Sequence, residues 1–257
     1  MPKFSINLSL LLTEMPLQER FAAAAKLGFK GVEIQFPYEY PATELADLAN
    51  AAGVEIVLHN IPAGDLSAGD VGIAGIPGRE DEFARGLDLA REYNEELGAK
   101  CVNVLAGKPP LEVDREAAMA VLEANVRSVI NAFSKRDVTI LLEPANGIDH
   151  PNFLLQKTED AVEIIERLGA DNVMIQFDVY HRQIMQGNLI HALRNFLPYI
   201  GHIQFADVPG RHEPGTGEIN FPAIFEALDR IGYDGWVGAE YVPSGATAES
   251  LEWFTNT

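Results

Sequence analysis

Three carboxylates stand at the ends of short apolar runs: Glu143 after Val138-Thr139-Ile140-Leu141-Leu142, Asp178 after Met174-Ile175-Gln176-Phe177, and Glu240 after Trp236-Val237-Gly238-Ala239. One such residue is explained equally well by a structural ion pair with Lys or Arg. Three that converge need a shared cation, because burying each without a partner costs several kcal/mol or moves its pKa strongly. These segments contain no set of Lys or Arg to supply that charge. One divalent metal ion would. With Gln204, at the end of His202-Ile203-Gln204, as a neutral fourth ligand, the all-oxygen set suits Mg²⁺ or Mn²⁺ rather than a metal that seeks thiolate or imidazole.

Around this set lie residues suited to holding a substrate. His181 follows Asp178 by three positions and is expected to orient substrate. His59 closes the third apolar run and is assigned the same kind of role. Arg211 belongs to a turn-rich stretch, residues 207–218, and can fork a carboxylate or a sugar oxygen. Asp207 or Glu213 could serve as scaffolding for that stretch. His202 is expected on the opposite side of its strand from Gln204, in a structural place, and His150, His191 and His212 at the surface. Cys101, inside Cys101-Val102-Asn103-Val104-Leu105, reads as a buried small hydrophobe.

The elements that must position these residues alternate regularly. Strands are predicted over residues 3–8, 31–36, 54–60, 100–105, 138–143, 172–178, 201–206 and 235–240, and helices over 17–27, 42–52, 79–97, 115–133, 157–168, 189–196 and 221–231. Gly28, Gly53, Gly98, Gly169 and Gly232 mark helix stops. Such alternation requires parallel strands with right-handed crossovers. Eight units in 257 residues favour a single (β/α)₈ TIM barrel over a doubly wound open sheet, with residues 1–257 forming one catalytic domain. The long irregular stretches 61–77, 144–155 and 207–218 each follow a strand. Parallel strands present their C-terminal ends at one mouth, where Asn7, Glu33, His59, Asn60 and Asn103 would join the carboxylates.

Composition narrows the function. The chain has 19 Lys+Arg against 38 Asp+Glu, a net charge of −19. A nucleic-acid binder needs a basic surface to displace counterions from phosphates, so none is expected. The apolar run at residues 8–12 is far shorter than the ~20 residues that span a bilayer, and the N-terminus has no secretory pattern; a cytoplasmic protein without membrane partners is expected. Neither a Gly-x-Gly-x-x-Gly run nor a Walker loop occurs, so no nucleotide cofactor is expected.

The ordered segments Asn7-Leu8-Ser9, Gly31-Val32-Glu33, Phe36-Pro37-Tyr38, Leu58-His59-Asn60, Pro62-Ala63-Gly64-Asp65, Ile76-Pro77-Gly78-Arg79-Glu80, Glu143-Pro144 and Glu213-Pro214-Gly215-Thr216-Gly217-Glu218-Ile219-Asn220 give the chain a resemblance that runs nearly end to end. It resembles the xylose-isomerase-like barrel superfamily, and within it the hydroxypyruvate isomerase and 2-oxo-tetronate isomerase group. The resemblance implies a metal held by Glu143, Asp178, Gln204 and Glu240, with Glu143 and Glu240 as the acid–base pair on either side of the substrate. It also implies a substrate contact at Asp149. Gln204 departs from the wider epimerase pattern, which has His there, but fits the hydroxypyruvate isomerase group; Val242 stands where Lys is expected.

The activity so implied is aldose–ketose-type isomerisation of a small hydroxy-keto acid through a cis-enediolate, hydroxypyruvate to tartronate semialdehyde before all. A 2-oxo-tetronate isomerase is the alternative, then a ketose 3-epimerase. Metal-dependent cleavage of abasic DNA, which uses a related barrel, calls for a His-rich multi-metal site and a basic surface, against six His and −19 here. A silent sugar-binding barrel would have little reason to keep the ligand carboxylates. Pairing of barrels into a homo-oligomer is the remaining expectation for partners.

Overall fold

A computed structural model describes residues 1–255. Eight strands, β1 (Lys3–Asn7), β2 (Gly31–Ile34), β3 (Glu55–Asn60), β4 (Cys101–Val104), β5 (Thr139–Leu142), β6 (Val173–Asp178), β7 (Ile200–Phe205) and β8 (Trp236–Ala239), pair in chain order and close on themselves. Every pairing is parallel, including that of β1 with β8. The helices outside are α1 (Leu17–Lys26), α2 (Ala42–Ala52), α3 (Glu80–Leu97), α4 (Arg115–Phe133), α5 (Thr158–Leu168), α6 (Val179–Met185), α7 (Leu189–Phe196), α8 (Phe221–Ile231) and α9 (Glu252–Thr255). The closed barrel is the architecture that the alternation of elements implies, and each expected strand and helix has its counterpart. Helix α6 was not expected. It begins directly on Asp178, whose Oδ1 accepts from the Tyr180 N–H at 2.8 Å, so the strand's last residue is also the helix cap. Gly53, Gly98, Gly169 and Gly232 take left-handed conformations at the ends of α2, α3, α5 and α8, as their spacing predicts.

Period-two alternation along each strand separates two cores. Outward residues such as Ile6, Val32, Val102, Ile140, Ile175, Ile203 and Val237 join the main core beneath the helices. Inward residues fill the barrel in layers. Val57, Leu58, Cys101 and Leu141, with Met174 and Trp236 against them, form an apolar plug. Burial there pushes the Cys101 thiol up to about 12, which suits the inert role expected of it.

Above the plug lies a polar layer built around Glu33, which is wholly buried. Its carboxylate accepts from Ser5 Oγ at 2.6 Å, His202 Nε2 lies 2.9 Å away, and Gln204 Nε2 donates to it at 2.8 Å. His202 therefore shares the barrel interior with Gln204, contrary to expectation, because residues two apart on a strand face the same way. Although burial opposes ionisation, the charge and hydrogen bond of His202 hold the Glu33 carboxyl below its usual range. Gly238 on β8 makes room for this side chain: a Cβ there would stand 2.0 Å from Glu33 Oε1. Gly238→Ala is accordingly expected to destabilise the protein by about 1–3 kcal/mol in denaturant unfolding, the usual range for overpacking; unchanged stability would contradict this packing.

Candidate active site

The same alternation lifts the next inward residues to the mouth. Glu143 follows Leu141, Asp178 follows Gln176, and Glu240 follows Gly238. All three are buried, at 6%, 3% and 4% exposure. Asparagines from neighbouring strands orient them: Asn103 Nδ2 donates to Glu143 Oε2 at 2.8 Å, and Asn7 Nδ2 to Glu240 Oε1 at 3.0 Å. Gln35 Nε2 gives Glu240 Oε1 a second hydrogen bond at 2.9 Å.

Arg211 reaches this cluster as expected. Its NH2 lies 2.6 Å from Glu240 Oε2 and 3.5 Å from Asp178 Oδ2, and its guanidinium stands 5.2 Å over the Tyr180 ring. The loop before α8 holds it there with a left-handed backbone, φ 57°. Buried Asp207 organises that loop by accepting from the backbone N–H groups of Val208, Gly215, Gly217 and Ile219, while Glu213 ties it to Ser244. Both acidic residues are scaffolding, and Arg211 is the side chain delivered.

The remaining expected residues divide. His181, buried, has Nε2 3.5 Å from Asp178 Oδ2 and 4.0 Å from Glu143 Oε1. One ligand atom each of Glu143, Asp178 and His181 lies within 4.8 Å of the others. Gln204 pairs in register with Asp178, its Oε1 accepting from Gln176 Nε2 at 2.5 Å while its amide N–H is taken by Glu33. Asp149 lies on the loop after β5, where its Oδ2 accepts from Asn146 Nδ2 and Tyr180 O–H at 2.9 and 2.7 Å. His59 is not brought to the mouth. It faces the helical layer, with Nε2 3.1 Å from Asn94 Oδ1 of α3 and Nδ1 3.2 Å from Tyr38 Oη, so that Asn60 takes the inward position. His150 corrects its surface assignment: the 144–155 loop folds it inward, half-buried, with its ring 6.0 Å from that of His181.

A cavity of about 350 Å³ opens above these groups, with Leu10, Phe36, Leu105 and Phe153 as apolar wall and Glu143, Glu240, His181 and Arg211 at its polar end. Val242, at 48% exposure, does not line it. A larger cavity of about 460 Å³, between the loops after β4 and β5, is lined by Asp160 but by none of Glu143, Asp178 and Glu240.

Burial and mutual repulsion dominate the electrostatics. Desolvation, then the charges of Glu240 and Asp178, push the Glu143 carboxyl up to about 8. Glu240 rises to about 7 through burial, held back by Arg211. Asp178 is also raised by burial against the pull of Arg211. Three carboxylates facing one guanidinium leave two negative charges uncompensated, the charge of a single divalent cation. The donor chemistry agrees. Glu33 takes the Gln204 N–H, so the Gln204 carbonyl oxygen, which accepts from Gln176 Nε2, is its one atom able to ligate, and Asp178 spends Oδ1 on the α6 cap while Oδ2 faces the site. The residues fit a hard divalent ion.

The fold and this cluster together define an α/β barrel with a carboxylate-lined site at its C-terminal mouth. The chain belongs to the xylose isomerase-like TIM barrel family, whose model matches residues 21–257. It is 44% identical to the hydroxypyruvate isomerase of Escherichia coli (strain K12), covering 98% of each chain, and 42% identical to the 2-oxo-tetronate isomerase of Cupriavidus necator, covering 98% of this chain and 97% of that one. Among solved structures it is similar to a family 2 AP endonuclease from Brucella melitensis, with TM-score 0.96 and 38% identity over 100% of this chain and 99% of that one.

Raised carboxyl pKa values carry a signed consequence for stability. Groups whose pKa rises on folding contribute stability that is complete below their unfolded value, near 4.5 for Glu, and lost as pH rises through about 7 to 8. In chelator-treated protein, melting temperature is expected to fall from about pH 5 to about pH 9 and to fall less steeply in Glu143→Gln. A melting temperature that rises over this window would contradict the electrostatics.

Proposed function

We propose that this protein is a divalent-metal-dependent isomerase of a small hydroxy-keto acid, converting hydroxypyruvate and tartronate semialdehyde into each other. The observation that carries this reading is the pair of buried carboxyls, Glu143 on β5 and Glu240 on β8, at the polar end of one small cavity, each with its proton affinity raised toward neutrality. A base that must take a carbon-bound proton and an acid that must return one work best with pKa values near the operating pH. The likeness to isomerases over nearly the whole chain supports the same class.

Glu143, Asp178, Gln204 and Glu240 would hold the ion, and Mg²⁺ or Mn²⁺ suits their oxygen donors. When bound, it supplies Lewis-acid polarisation of adjacent carbonyl and hydroxyl oxygens. The chain's own residues do the proton work. One carboxylate of the Glu143–Glu240 pair removes a proton from the hydroxymethyl carbon of hydroxypyruvate, and its electron pair forms the carbon–carbon double bond of a cis-enediolate. The other returns a proton to the former carbonyl carbon, and the hydroxyl proton passes between the two oxygens, so that an α-hydroxy aldehyde acid results with no net oxidation. Asn103 fixes the carboxylate of Glu143, while Asn7 and Gln35 fix that of Glu240. Arg211, a cation on this cavity wall, would fork the substrate carboxylate. The apolar wall of Leu10, Phe36, Leu105 and Phe153 excludes water from the carbanionic carbon.

A second reading is a 2-oxo-tetronate isomerase, the same chemistry on a four-carbon acid; relatives of both names are about equally similar to this chain, at 44% and 42% identity. DNA cleavage, which the name of the Brucella protein suggests, would have to work against a net charge of −19.

Purified protein should be incubated with each acid in deuterated buffer, with chelator and with Mg²⁺ or Mn²⁺ restored, and followed by proton NMR. The expected result is metal-dependent interconversion with deuterium entering at the reacting carbons. Glu143→Gln and Glu240→Gln should each lower kcat by about 10²–10⁴-fold while keeping the fold. Full turnover in either variant, or in the presence of chelator, would overturn the proposal.

A further inference from the structure

His181 presents a choice that the geometry settles. A neutral imidazole carries one proton, and the nitrogen without it can ligate a metal while the nitrogen with it can only donate. Nε2 of His181 faces the carboxylate cluster and could serve in either way. Its Nδ1 faces Asn146, in the loop after β5: the Asn146 backbone N–H points to it at 3.3 Å, and Asn146 Nδ2 lies 2.8 Å away.

The Asn146 amide is not free to turn over. Its Oδ1 accepts from the backbone N–H groups of Ile148 and Asp149 at 3.0 and 2.8 Å, and its Nδ2 also donates to Asp149 Oδ2 at 2.9 Å. A reversed amide would set its oxygen against the Asp149 carboxylate and its NH₂ against two N–H donors. Nδ2 is therefore the atom facing His181, and Nδ1 receives two donors while having none to give. Asn146 is itself wholly buried, so no water competes for these bonds.

We propose that Asn146 is a positioning residue that holds His181 in the tautomer protonated on Nε2, so that the ring donates a hydrogen bond to a substrate oxygen and stays outside the ligand set of the metal. Asp149 then acts through Asn146, by fixing the amide, and anchors Tyr180 beneath the Arg211 guanidinium. The distances from Nε2 to Asp178 and Glu143, 3.5 and 4.0 Å, are too long to spend its N–H on either carboxylate. The inference deepens the isomerase reading and rests on it for the identity of the oxygen that is met; the tautomer itself does not depend on that reading.

The direct test is long-range ¹H–¹⁵N correlation on histidine-labelled protein, with the His181 signals identified by their loss in His181→Gln. The expected pattern is a protonated Nε2 and an unprotonated Nδ1, before and after addition of Mg²⁺. Two variants in the Asp149→Asn background, where no new like-charge pair forms, separate positioning from packing. N146D puts an acceptor against Nδ1 and should move the proton there, lower kcat by about 10²-fold relative to the D149N parent, as loss of one donor to a developing oxyanion does, and raise affinity for Zn²⁺ relative to Mg²⁺ in calorimetric titration. N146A leaves the backbone donor in place and should keep the Nε2–H tautomer with a smaller loss. A merely structural role predicts the opposite order, because Asp preserves the volume of Asn and Ala does not. A protonated Nδ1 in the wild-type protein, or N146D as active as N146A, would overturn the proposal. Absence of turnover in the D149N parent and the wild type alike would count against the isomerase reading, and the tautomer would still be decided by the spectrum.

Discussion

Like charges held together out of water are the constraint on which this structure turns. Glu143, Asp178 and Glu240 are driven into one dry mouth by the alternation of their strands, and Arg211 is the single guanidinium set among them. Left so, the site lowers its charge by binding protons, which is what the raised carboxyl pKa values express. A divalent ion offers the other resolution. The neutral amides nearby do not carry charge. They fix which oxygen of each carboxylate points where: Asn103 for Glu143, Asn7 and Gln35 for Glu240, and the α6 cap for Asp178.

The layers beneath explain how such a site can be tolerated. An apolar plug closes the barrel, and the Glu33–His202–Ser5 layer above it is internally satisfied, so it adds no exposed demand of its own. Gln204 extends this layer, its amide N–H taken by Glu33 and its carbonyl oxygen by Gln176. Gly238 permits the arrangement by having no side chain where Glu33 lies. Fold and chemistry are thus coupled at one glycine and one buried acid, neither of which lines the cavity.

The strand-borne half of the site was legible because period two is a strict rule. Once the apolar runs are taken as strands, Leu141 and Glu143, Gln176 and Asp178, and Gly238 and Glu240 must share the interior. His202 obeys the same rule, and placing it on the opposite face from Gln204 was a misapplication of it. His59 shows a further limit. The pairing of β2 with β3 shifts register between Val32 and Glu33, and His59, next to the inward Asn60, is turned to the helices. The loop-borne half was legible only as residue types. Arg211 could be named, but its delivery depends on Asp207 gathering four backbone N–H groups. Asn146 and His150 gave no signal, because nothing in the spacing of the 144–155 stretch fixes the turn that brings both against His181.

The central claim is that two uncompensated negative charges at the barrel mouth make a site for one divalent cation. Calorimetric titration of chelator-treated protein with Mn²⁺ tests it directly, carried out at about pH 7 in buffers of differing ionisation enthalpy. Because ligands must lose their protons to bind metal, the account predicts one ion per chain, with protons released on binding and the release vanishing at about pH 9, where the carboxyls are already ionised. Absence of binding, or binding without proton release that survives replacement of Glu143 and Glu240 by Gln, would contradict it.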